Sequence, residues 1–89
     1  MLGTITVTTT KTATGDYVSS AEDESGTKLA AATSADLESA AFEMGFSSKA
    51  QHSNYSKVYT GFVMEWIING DESEDAVRLH ALYNKKAWW

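Results

Sequence analysis

Tyr55–Asn69 reads YSKVYTGFVMEWIIN, and the secondary structure of this stretch decides the fold. No other part of the chain is as apolar or as regularly spaced. Tyr55, Val58, Tyr59, Phe62, Val63, Trp66 and Ile67 recur at helical spacing, which predicts one apolar stripe along an α-helix. Each such side chain contributes about 1.5–3 kcal/mol when fully buried, enough together to anchor a small core. Gly70 stands where a helix C-terminus commonly takes glycine. The rival reading is a strand, because Val, Tyr, Thr, Phe, Trp and Ile also favour sheets. With a period of two, Val58, Thr60, Phe62, Met64, Trp66 and Ile68 share a face, and Asn69-Gly70 becomes a hairpin turn. A strand that long is uncommon in a small domain, and Glu65 would fall among apolar residues. Against the helix, Gly61 costs about 1 kcal/mol relative to Ala, and Met64 and Ile68 lie on its back. The expectation taken forward is a helix over about residues 54–69.

Upstream, Ile5 and Val7 alternate with Thr4, Thr6 and Thr8, the pattern of a half-buried strand. Thr14-Gly15-Asp16 signals a turn, Tyr17–Ala21 a second strand, and Glu22–Gly26 an acidic turn. Thr27–Ala32 reads as a weaker third strand. The short links predict a three-stranded antiparallel sheet over about residues 4–32. The threonine row reads as a wet strand face. An ice-binding surface would need repeated strands, and the chain has no internal repeat.

Thr33-Ser34-Ala35-Asp36 has the form of a capping box, with Ser34 an equally good cap alone. Leu37, Ala40, Ala41 and Met44 then line one stripe of a helix over about 34–44. Gly45 ends it, and Phe46 follows where a closing apolar contact sits. Ser47–Asn54 is a polar link. Ser73, followed by Glu74 and Asp75, caps a last helix over about 73–86, with Ala76, Leu79, His80 and Tyr83 on its inner face. Lys85 and Lys86 suit its negative end. The sum is one α+β domain over residues 1–89.

A chain of 89 residues buries only about 60–65% of its unfolded surface, so it needs an efficient core or a second copy. Its 43% apolar content belongs to a folded protein rather than a disordered one. The absence of cysteine excludes disulfides, thiolate metal sites and a cysteine nucleophile. The absence of proline leaves turns to Gly, Asn, Asp and Ser. A net charge of −5 argues against direct nucleic-acid binding and against anionic lipid, and is compatible with a basic protein partner. No 18-residue apolar run is present, and no basic segment leads into an apolar one near Met1. A cytoplasmic protein that neither spans a membrane nor carries a signal peptide is therefore expected.

Two acidic clusters are candidate partner contacts: Glu22, Asp23 and Glu24, and Asp71, Glu72, Glu74 and Asp75. Rows of carboxylates can meet Lys and Arg on a partner and can imitate phosphate spacing. The plainer alternative is a solvated turn and a charged helix start. Asp71-x-Ser73-x-Asp75 alternates oxygens as a calcium loop does. The glycine of such a loop is replaced by Ala or Val, however, and its closing Glu is missing. His52 and His80 lack metal-pair spacing. His80 reads as a core-edge residue and His52 as a solvated one. No HExxH, nucleophile elbow or phosphate-cradling glycine loop occurs, and nothing sets two carboxylates apart for acid–base work. The chain is thus expected to be no enzyme and to hold no metal or cofactor. Asn54-Tyr55-Ser56 matches a glycosylation sequon but lacks a secretion signal. Trp88-Trp89 is an aromatic pair that either folds back on the core or sits in a partner or second subunit.

The strand hairpin with its acidic turn and the Ser/Thr-capped helix, Thr4–Gly45, resemble small phage-encoded anti-CRISPR proteins in size, charge and element order. The likeness covers about half of the 89 residues and rests on no diagnostic motif, so it assigns no residue a role. It implies an inhibitor that binds a bacterial CRISPR effector complex and blocks nucleic-acid or nuclease recruitment. The alternative expectation is a homo-oligomeric structural or assembly protein, a homodimer formed through residues 55–69 and the Trp pair.

Overall fold

The computed structural model describes residues 2–46, 61–84 and 87–88. Its elements are β1 (Leu2–Lys11), β2 (Tyr17–Glu22), β3 (Lys28–Ser34), α1 (Leu37–Glu43), β4 (Gly61–Asn69), α2 (Glu74–Tyr83) and the two-residue β5 (Ala87–Trp88). The strands form one mixed sheet in the order β3-β2-β1-β4-β5. The predicted meander is present: β1 pairs antiparallel with β2, and β2 with β3.

The decisive stretch is a strand where a helix was expected. β4 runs parallel to β1 through nine residue pairs, from Leu2 opposite Gly61 to Thr10 opposite Asn69. Met64 and Trp66 are fully buried and Ile68 partly so, while Glu65 and Ile67 are exposed on the other side. Period two therefore governs residues 61–69, and the three-stranded antiparallel sheet becomes a larger mixed one. The reason is tertiary. A helix here would leave β1 an unpaired edge, whereas a strand satisfies its outer N–H and C=O groups along its length. β-branched and aromatic residues on a half-buried pleat complete the preference. Residues 54–60 of the expected helix, with Tyr55, Val58 and Tyr59, lie outside the described residues. Asn69-Gly70 makes no hairpin. Gly70 has φ +80° and turns the chain into the loop before α2.

α1 begins three residues later than predicted because β3 continues through Ser34. The cap is Asp36 rather than Thr33 or Ser34, and its Oδ1 accepts the Ser39 N–H at 2.8 Å. Its far end is as read: Gly45 has φ +89°, and the Phe46 N–H reaches the Ala41 carbonyl at 2.8 Å. Ser73 caps α2, its Oγ accepting the Ala76 N–H at 3.2 Å. α2 ends at Tyr83, with Asn84 as C-cap.

Both helices lie on one face of the sheet, α1 over β2 and β3 and α2 over β4. The core between them holds Ile5, Val7, Ala21, Leu37, Ala40, Ala41, Met44, Met64, Ala76 and Leu79, with Phe46 and Trp66 at its centre. The Phe46 ring stacks on Trp66 at 5.0 Å, and Tyr83 tilts against both at 5.4 and 5.8 Å. Three polar groups are buried with them. The Trp66 Nε1–H donates to Thr9 Oγ1 at 2.8 Å, and the Thr9 and Ser19 hydroxyls bond at 2.8 Å. The Asn84 side chain bonds both the N–H and the carbonyl of Trp66, fixing the end of α2 against β4. Thr4, Thr6, Thr8, Thr10, Val18, Ser20, Glu65 and Ile67 lie on the opposite face, which neither described helix covers. No helix among the described residues is long and apolar enough to cross a membrane.

Candidate functional site

The parallel pairing of β1 and β4 settles where the acidic groups go. β1 and β4 end side by side, Thr10 opposite Asn69, and β2 starts beside them, Tyr17 opposite Lys11. The loop after β4 carries Asp71 to this end, where both helices also begin. Tyr17 belongs to the core face of β2 and is buried except for its tip. Its hydroxyl donates to Asp71 Oδ2. Asp71 Oδ1 accepts the Ser73 N–H at 2.9 Å, so one carboxylate holds both the β2 start and the cap of α2.

Tyr17, Asp36, Glu38, Asp71, Ser73 and Asp75, with Leu37 and Leu79 beneath, line a shallow cavity of about 330 Å³. A second hollow of about 560 Å³ continues along the outer side of α1, past Asp36, Glu38, Ser39, Phe42, Glu43 and Tyr83. Arg78 pairs with two of the carboxylates that line the first, its Nη2 3.4 Å from Asp75 and 3.8 Å from Glu38. All three side chains are well exposed to water. Lys11 stands behind, its Nζ 5.9 Å from the centre of the Tyr17 ring.

The electrostatics follow from these contacts. Asp71 is lowered to about 2, first by the Tyr17 hydroxyl, then by the Ser73 N–H and hydroxyl, with a smaller effect of Lys11. Tyr17 is raised to about 12, first by donating to Asp71, then by burial and the charges of Asp71 and Asp36. The Ser39 N–H and hydroxyl, offset in part by burial, hold Asp36 below the usual carboxylate range. The chemistry available is fixed negative charge at the mouth of two helix N-termini. That charge also suits the helix dipoles.

The two predicted clusters do not meet. Glu22 pairs with Thr6, and the Thr4 N–H donates to Glu24 Oε1 at 3.1 Å, so the 22–26 turn lies at the start of β1. The Asp71–Asp75 group lies at its end beside Lys11, about 23 Å away at 3.3 Å per strand residue. Asp23 is occupied in shaping its own turn: its Oδ1 accepts the N–H groups of Ser25 and Thr27, each at 2.9 Å, and the Ser25 hydroxyl at 2.7 Å. Glu22, Glu72 and Glu74 are exposed and make no side-chain hydrogen bond or ion pair with other described residues. His80, expected at the core edge, is exposed on α2. Trp88 contributes backbone to β5 opposite Phe62. His52 and Trp89 lie outside the described residues.

Reasoning from sequence missed Tyr17, Asp36 and Glu38 as members of the 71–75 group. Asp36 was visible as a helix-start residue. That two helix starts converge on one end follows from the strand pairing. Comparison of the chain with family models, with curated proteins and with solved structures yields no match.

Proposed function

We propose that this chain is a small acidic binding protein without catalytic activity that docks on a basic protein surface through the end where α1 and α2 begin. The observation that carries this reading is the convergence of Asp36, Glu38, Asp71, Glu72, Glu74 and Asp75 there. Arg78 makes the only ion pairs among the described residues. Like charge gathered at one end favours association with a surface of opposite sign and raises the rate of encounter. With the anti-CRISPR resemblance, the favoured partner is a bacterial CRISPR effector complex or another nucleic-acid-handling assembly with a basic channel. The inhibitor would occupy that channel in the bacterial cytoplasm. The 22–24 turn lies about 23 Å from this end and is assigned no primary role. Trp88 and Trp89 remain secondary contacts in this proposal.

The test is capture of the partner from bacterial lysate, with wild type beside Glu72→Lys/Glu74→Lys and Glu22→Lys variants. The reading expects salt-sensitive capture, lost at the first site and kept at the second. Equal capture by all three proteins would remove it.

A further inference from the structure

An aromatic ring stands among carboxylates on the outer side of α1, and we propose that the hollow there takes arginine side chains of the partner, with a guanidinium lying on Phe42 and paired with Glu38 or Glu43. The proposal deepens the acidic-end reading and rests on it for the sign of the partner's charge. What it adds is the residue type, arginine in preference to lysine.

Leu37, Ala40 and Ala41 face the core, which turns Glu38, Ser39, Phe42 and Glu43 outward. Glu38 and Phe42 share a face one turn apart, their Cβ atoms about 5–6 Å from each other, and Glu43 follows directly. Phe42 is 49% exposed, the one exposed aromatic ring among the described side chains. With Asp36 and Tyr83 these residues line the hollow of about 560 Å³. Tyr83 gives the hollow a fixed wall, because its ring packs against Phe46 and Trp66.

An exposed ring offers a cation its negative face, and carboxylates beside the ring can hold that cation's N–H groups. Guanidinium meets both demands at once. It is flat and weakly hydrated, and its donors lie in its own plane, so it can stack and pair together. An ammonium group is compact and strongly hydrated, so it pairs with the carboxylates but gains less from the ring. The near end of the hollow already holds one guanidinium, that of Arg78, within 4 Å of both Glu38 and Asp75. The Glu38 side chain is still 76% exposed, and Glu43 makes no ion pair among the described residues, so carboxylate oxygens remain for a second guanidinium.

Two fluorescein-labelled synthetic peptides of equal charge serve as probes, one alternating arginine with glycine and the other lysine with glycine. The glycines remove any apolar anchor. Anisotropy titration with the full chain should show the arginine peptide bound about threefold or more tighter, the gain that a cation–π contact supplies at an exposed site. Phe42→Leu keeps the apolar bulk and a good helix former at an exposed position, so the fold stands. It should abolish the preference while leaving the lysine peptide bound as by wild type. In NMR spectra the Phe42 ring protons should shift with the arginine peptide and stay in place with the lysine peptide. Equal affinity for the two peptides, binding of neither, or a preference that survives Phe42→Leu overturns the proposal. Where both peptides bind equally, the Glu72→Lys/Glu74→Lys variant separates the two readings. Weaker binding of both peptides by that variant leaves the acidic-end reading standing alone, and unchanged binding removes it as well.

Discussion

The Tyr17 hydroxyl donates to the carboxylate of Asp71 across a separation of 54 residues, tying the start of β2 to the loop between β4 and α2. Each group titrates as the other dictates. Asp71, lowered from 3.8 to about 2, adds stability that is full above 3.8 and is lost as pH falls towards 2. Tyr17, raised from 10.0 to about 12, adds stability that is full below 10.0 and is lost as pH rises towards 12. Above that, a phenolate would face Asp71 and Asp36. The urea midpoint of wild type should therefore fall at both extremes, and Tyr17→Phe should flatten both limbs. Ultraviolet titration should show one phenol ionising late in wild type and none in the variant. If every phenol of the wild type ionises near 10, the bond is not formed.

Thr9 is the hinge of the buried polar trio. Replacing it with Val keeps the volume but removes both the acceptor for the Trp66 indole and the partner of Ser19. Leaving buried polar groups unmatched costs about 1–3 kcal/mol. Thr9→Val should lower the urea midpoint accordingly, with an unchanged slope. Thr8→Val, one residue along on the open face, should change stability by less than about 0.5 kcal/mol. Equal effects at the two positions would show that the trio contributes nothing specific.

Much of the fold was legible because short-range rules set it. Alternation around Ile5 and Val7, the turn at Gly15, the Gly45–Phe46 stop and the Ser73 cap each depend on neighbours a few residues apart. The stretch at 61–69 was not legible in this way. Phe62, Val63, Trp66 and Ile67 satisfy a helical stripe, while Met64, Trp66 and Ile68 satisfy a strand face. The choice between them is made by β1, more than fifty residues earlier, which needs a partner along its second edge. The acidic end was hidden for the same reason. Asp71 and Asp36 meet only because β4 runs parallel to β1 and so finishes at the end where β2 begins. The separation of Glu22–Glu24 from Asp71–Asp75 is another consequence of that pairing.

Gly70 makes the turn that delivers Asp71 to Tyr17. Its φ of +80° is a conformation side chains resist, and an added Cβ would sit 3.2 Å from the Lys11 carbonyl oxygen. Gly70→Ala should destabilise the fold by about 1–2 kcal/mol from backbone handedness alone, with crowding against Lys11 adding to it. Gly26 has a similar φ, +86°, but open space around it, so Gly26→Ala should cost less. Thermal unfolding of the two variants side by side measures the difference, and equal losses would exclude a role for the Lys11 contact.

Arg78 separates the structural from the electrostatic meaning of the acidic end. It pairs with Asp75 and Glu38 at the exposed surface, where such pairs are worth about 0–1 kcal/mol. Arg78→Ala should thus leave the unfolding midpoint almost unchanged. The same substitution removes the positive charge paired with two of the carboxylates that line the cavity. If a cationic partner docks there, its association should become faster and more salt-dependent, because steering strengthens with net opposite charge. Stopped-flow or surface-based kinetics at two salt concentrations would read this directly. Slower association, or a rate indifferent to salt, would mean that Arg78 itself touches the partner or that binding occurs elsewhere on the molecule.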